Sequence, residues 1–159
     1  MNGREMVRKL GSAGAAVALL ALVVSMIVPA TADKRYESRV LHLAVGAEVG
    51  GETFIDVGEK GEGVGDYVII NHAMFNRALT KQVGTVRADC LLVEETKCEV
   101  DATFDLREGL ITVEGPLDFT SDRDEFAVTG GTGAYKTAHG VLVVTYTEKR
   151  EDFVFKLLL

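Results

Sequence analysis

The chain has 159 residues, 17 basic and 24 acidic side chains, a net charge of −7, no tryptophan and four tyrosines. That balance argues against binding to nucleic acid or an anionic membrane, which needs clustered Lys and Arg, and leaves no stacking surface for single strands. Two cysteines and three histidines are too few soft ligands to point to a metal centre, and no spacing points to an organic cofactor.

The N-terminus reads as an export leader. Arg4, Arg8 and Lys9 form a basic start, Ala13 to Val28 is almost wholly apolar, and Pro29-Ala30-Thr31-Ala32 ends in the small-x-small pattern of a signal-peptidase site. Cleavage after Ala32 leaves residues 33–159 as one exported domain, secreted or held in the cell envelope. Taking Arg4, Arg8, Lys9 and Glu5 from the 17 positive and 24 negative side chains leaves a net charge of −9. Uncleaved, Gly11 to Ala30 is about the ~20 residues needed to span a bilayer, and would be the only membrane contact of the chain.

After the leader, R-V-L-H-L-A-V is a first strand carrying His42, and E-T-F-I-D-V a second. Gly58 to Gly65 is a glycine-rich acidic connection. Tyr67 to Phe75 is a long strand with apolar residues on both phases, so both of its faces are expected to be covered. Val83 to Val93 and Cys98 to Leu106 form a hairpin that reverses near Glu94 to Thr96. In its second strand Cys98, Val100, Ala102, Phe104 and Leu106 alternate with Glu99, Asp101, Thr103 and Asp105. Cys90 and Cys98 lie on the apolar phase and sit opposite each other if the pairing is centred on residue 94, which predicts a cross-strand disulfide. L-I-T-V-E-G-P follows, with Pro116 expected to end its strand, and Thr120 to Asp124 reads as a polar loop. Phe126 to Thr129, Val141 to Glu148 and F-V-F-K-L-L complete the chain. About eight strands at this spacing, with no convincing helix after the leader, predict an all-β antiparallel barrel or sandwich.

The segment F-A-V-T-G-G-T-G-A-Y-K-T-A-H-G, Phe126 to Gly140, concentrates glycines between two β-branched runs. It lacks the Gly-Lys-Ser/Thr of a phosphate loop and leads into a strand, so it reads as a corner of a closed sheet. Together with E-G-P-L-D-F (Glu114 to Phe119), A-H-G (Ala138 to Gly140), G-D-Y-V (Gly65 to Val68) and V-G-T-V-R-A-D-C (Val83 to Cys90), it resembles the signatures of the allene oxide cyclase barrel family. That family is related to the dirigent proteins. The resemblance covers roughly Val40 to Leu159 and implies a closed antiparallel β-barrel of about eight strands.

Plant members of that family use a glutamate, an asparagine, a cysteine and a tyrosine. Carried over by spacing, these positions become His42, His72, Cys90 and Leu117, so only the cysteine is kept and the allene oxide reaction itself is not implied. Bacterial proteins resembling the barrel include spirotetronate cyclases, whose ring closure needs an apolar cavity and a polarising donor rather than a nucleophile. The resulting expectation is a cofactor-independent cyclase or isomerase for a hydrophobic unsaturated, polyketide- or lipid-like substrate. His72 and His42 are its candidate catalytic groups, and Val68, Ile70, Met74, Phe104, Leu117 and Tyr146 its candidate substrate contacts. The alternative is a non-catalytic, exported dirigent-like protein that binds an apolar small molecule or a protein partner. An inward His72 puts Tyr67, Ile69, Ala73 and Phe75 on the outer wall, an apolar stripe that predicts a homodimer or, as in plant relatives, a homotrimer.

Overall fold

In the computed structural model, residues 37–47, 51–58 and 60–159 are described, all within the compact unit Lys34–Leu159. The segment expected to be an export leader, residues 1–32, lies outside the described residues. Nine strands follow one another as β1 (Ser38–Gly46), β2 (Glu52–Ile55), β3 (Tyr67–Asn76), β4 (Gln82–Glu94), β5 (Lys97–Leu106), β6 (Gly109–Asp118), β7 (Arg123–Gly131), β8 (His139–Thr147) and β9 (Arg150–Leu158). They pair antiparallel in the order β1-β9-β8-β7-β6-β5-β4-β3-β2. Leu43↔Asn76 and Ala44↔Phe75 join β1 to β3 and close the sheet. β1 and β3–β9 thus form an eight-stranded antiparallel barrel, and β2 is an extra strand laid along the first half of β3. Closure satisfies the ladder groups that β-branched edges would otherwise expose.

Alternation decides what faces the lumen. Val86, Ala88, Cys90 and Leu92 of β4, Cys98 to Leu106 in steps of two on β5, and Phe153, Phe155 and Leu157 of β9 are all buried. The intervening Arg87, Asp89, Glu99, Asp101 and Asp105 are exposed. A slip of one residue would put these charges inside, so the register is fixed by hydrophobic burial. At the centre, Phe104 meets Phe155 and Phe153 edge-on, with centroids 4.9 and 5.9 Å apart. Tyr67 on the outer row of β3 is exposed, and Ile69, Ala73 and Phe75 are half-buried.

Three local expectations need correction. Pro116 does not end its strand: β6 continues to Asp118 and pairs with β5 throughout. β7 pairs with β6 only from Ile111 to Glu114, so the edge beside Pro116 carries no partner and a missing N–H costs no ladder bond there. The loop expected over Thr120 to Asp124 is shorter, because β7 begins at Arg123. Cys90 and Cys98 do form the disulfide, with Cα atoms 5.5 Å apart, but they are not directly opposite. Cys90 faces Val100 and Cys98 faces Leu92, because a bulge between Leu92 and Glu94 shifts the register.

The bridge closes a short loop, a sequence separation of 8, so chain entropy attributes to it only about 2.5 kcal/mol. Replacing both cysteines by alanine therefore lowers the midpoint in guanidinium while β-sheet circular dichroism is retained. An unchanged midpoint would show that the bridge constrains nothing.

The glycine-rich corner closes one end of the barrel. A single 3₁₀ turn, Gly133–Tyr135, sends Tyr135 inward, where it is buried. Its hydroxyl donates to Glu108 at 3.2 Å, and Glu108 also pairs with Arg39 at 2.6 Å. The Arg39 guanidinium lies 5.4 Å above the Tyr135 ring, a cation–π contact that caps this end. The Thr132 hydroxyl accepts the Leu110 N–H at 3.0 Å, and Ala134 N–H donates to the Glu108 carbonyl at 2.8 Å, tying the corner to the β5–β6 turn.

Candidate active site in the barrel lumen

The far half of the lumen is not filled. A cavity of about 300 Å³ lies between the strands and reaches the end bounded by the β6–β7 connection. Its walls are apolar, with Ile70, Val86, Ala88, Phe104, Phe126 and Phe153 among them. Its polar groups are few and gathered: His72 on the wall, with Tyr146, Glu151, Glu52, Asp118 and Ser121. A small apolar cavity with a few convergent polar groups is the usual form of a small-molecule site.

His72 occupies the inward row of β3 and is only 7% exposed. Its Nε2 is buried without a hydrogen-bond partner among the described residues. Buried polar atoms are ordinarily paired, and His72 lines the cavity, so its orphan nitrogen is the group of this wall with a bond left to make. The approach of the chain before β2 explains its burial. Asn71 N–H donates to the Gly51 carbonyl at 2.9 Å, and a Cβ on Gly51 would lie 2.0 Å from the Asn71 oxygen and 3.2 Å from His72 Cδ2. Only glycine fits there.

His42 is a correction. Leu41, Leu43 and Val45 provide the inward row of β1, so His42 points outward and is exposed. Of the candidate contacts, Ile70, Phe104, Leu117 and Tyr146 line the cavity. Val68 and Met74 share the row of His72 but pack into the core away from the cavity wall. Cys90 is inward and buried, and is held in the disulfide.

Two acids complete the site. Glu151 pairs with Tyr146 across β8–β9 and continues the inward row of Phe153 and Phe155. Burial, and then the charge of Glu52, hold its carboxyl above the usual range. Burial also raises the Tyr146 phenol far above its ordinary value, helped by the charges of Asp124 and Glu151. Both groups therefore retain a proton more readily than free side chains, and the Tyr146 hydroxyl also hydrogen-bonds Asp124. Glu52 is exposed, yet it borders the cavity. Glu151 shows in the sequence only as a charge on an otherwise apolar row.

Asp66, the acid of G-D-Y-V, positions this arrangement. It is 1% exposed and accepts the N–H groups of Val57 and Gly63, each at 2.7 Å. That clasp folds the glycine-rich connection back between β2 and β3, holding Glu52 beside the opening.

Glu151 gives the protein a pH signature. Its folded-state affinity for a proton exceeds the unfolded one, so ionising it costs stability as pH rises from the ordinary value of 4.5 through the raised one. Glu151→Gln should therefore match the wild type near pH 4 and melt higher at neutral pH. A variant that loses stability at neutral pH would show that the ionised carboxylate has a partner.

Among solved structures, the chain is similar to a pyocyanin demethylase at 27% identity over 75% of this chain and 99% of that one, with a TM-score of 0.64. It also resembles the pterocarpan synthase dirigent protein, at 16% identity, 78% and 89% coverage, and a TM-score of 0.65. A third neighbour is the Diels–Alderase AbmU from Streptomyces koyangensis, at 12% identity, 79% and 70% coverage, and a TM-score of 0.59. At these low identities the last two show a shared fold. No curated protein matches the chain. The description of the allene oxide cyclase barrel-like domain matches residues 45–159, and the chain belongs to that family.

Proposed function

We propose that the lumen binds an apolar, unsaturated small molecule and converts it, without a cofactor, into a ring-closed or isomerised product. The observation that carries this reading is the open, apolar-walled cavity lined by His72, Tyr146 and Glu151, with His72 Nε2 unpartnered among the described residues. Apolar walls fold a flexible substrate into a reactive conformer. The Tyr146 hydroxyl then polarises a carbonyl as charge develops on its oxygen, where fixed donors act most strongly. Similarity to a demethylase and to a Diels–Alderase supports catalysis on a small molecule, and the dirigent likeness supports binding alone. Export of residues 33–159 into an oxidising compartment belongs to the same reading and accords with the disulfide. So does assembly into a dimer or trimer through the outer row of β3, which light scattering would test.

The experiment has two parts. N-phenyl-1-naphthylamine, a neutral apolar dye, should brighten on binding the full-length protein, and Ala88→Phe, which fills the lumen, should abolish that response. Metabolite extracts of the source cells should then show one compound consumed and one of identical mass formed, as ring closure and isomerisation require. Dye binding without any isobaric conversion would favour the dirigent-like reading. Absence of binding would remove the lumen as a site.

A further inference from the structure

The charges around the cavity are one-sided. Glu52, Asp118 and Glu151 border it, and among the described residues no lysine or arginine does. The three acids are not equivalent. Asp118 accepts the Thr120 hydroxyl at 2.6 Å and the Thr120 N–H at 2.9 Å, which hold its carboxyl below the usual range. Glu52 and Glu151 both line the cavity, near enough for the Glu52 charge to act on Glu151, and neither carboxyl has a hydrogen-bond or ion-pair partner among the described residues. The nearest cation in sequence, Arg150, is already paired with Asp152. Carboxyls kept at the mouth of an apolar cavity without a counter-charge repel one another, and a bound cation removes that repulsion. A bound anion would add to it. The orphan Nε2 of His72 in the same cavity is an independent sign that a ligand's polar atom completes this wall.

We propose that the site selects small molecules carrying a positively charged or protonatable nitrogen, seated between Glu52 and Glu151, with the apolar body in the lumen and a polar atom against His72. This inference rests on the lumen as the binding site and adds the substrate class: an amine or basic nitrogen heterocycle, with carboxylic acids and phosphates rejected.

Three probes of one shape test it by calorimetry on the full-length chain: 2-naphthylmethylammonium, 2-naphthamide and 2-naphthoate. The ammonium should bind at least about tenfold more tightly than the amide, and the naphthoate more weakly than either. Glu52→Gln and Glu151→Gln should each shrink that preference to about threefold or less. Glu114→Gln, which removes one exposed charge from the outer wall of β6, should keep it. Equal binding of ammonium and amide, a preference for naphthoate, or a preference that survives in the Glu52→Gln/Glu151→Gln double variant would overturn the proposal. If the amide and N-phenyl-1-naphthylamine bind but charge is ignored, this inference alone falls. If neither binds, the lumen reading falls with it.

Discussion

Gly140→Ala lowers the melting temperature by on the order of 15 °C, from a strained backbone and a blocked strand pairing that together cost about 4 kcal/mol. Gly140 has φ of +137°, which side-chain-bearing residues rarely adopt. An added Cβ would lie 2.1 Å from the carbonyl oxygen of Lys156 and 3.4 Å from Leu157 Cα. The obstruction is backbone of the paired strand, so no rotamer change relieves it; β8 and β9 must move apart where His139↔Leu158 and Gly140↔Leu157 close the ladder. Tyr135 lies just before this point and plugs the barrel end, so the damage spreads to the Arg39–Glu108 cap. Thermal melts and amide exchange check the result. The exchange loss should centre on β8 and β9, and a melting temperature within about 3 °C of wild type would show that the strands separate there at little cost.

The same glycine shows why much of the fold could be read from the sequence. A-H-G, T-G-G-T-G and G-D-Y-V are short, but each records a backbone constraint: a close approach at Gly140, a folded-back corner at Gly133, and a buried clasp at Asp66. The inward phase followed from alternation wherever one phase was charged, as in β5. β1 offered no such contrast. Val40, Leu41, Leu43, Ala44 and Val45 supply apolar residues to both phases, so periodicity could not choose. An ungapped count from family spacing then put His42 inside when it lies outside. The site was legible in part for a related reason. His72 and Tyr146 lie on rows that the sequence identifies as apolar. Glu151 does as well, but a charge at the start of a strand is ordinarily solvated. What brings it to the cavity is the shared register of β8, β9 and β1, in which Glu151 faces both Tyr146 and Val45. Glu52 depends on still longer-range structure, since β2 is held only by its pairing with β3 and the Asp66 clasp.

His72→Leu is expected to raise the melting temperature while lowering formation of the isobaric product on the order of 10²–10³-fold. The two effects share one cause. In the wild type a ring nitrogen is buried at Nε2 with no partner among the described residues, an arrangement that costs about 1–3 kcal/mol. Leucine fills similar space on a row already made of Val68, Ile70 and Met74, and needs no hydrogen bond. A residue present for packing alone would behave oppositely, because its replacement would break a satisfied bond and leave turnover untouched. Binding of N-phenyl-1-naphthylamine separates the two roles further: a leucine wall should hold this apolar dye at least as well, so lost turnover could not be blamed on a collapsed lumen. His72→Gln, which restores one donor and one acceptor near the same place, should recover part of the rate and surrender the gain in stability. A leucine variant that melts lower and turns over normally would make His72 a core residue and return the chemistry of the site to Tyr146 alone.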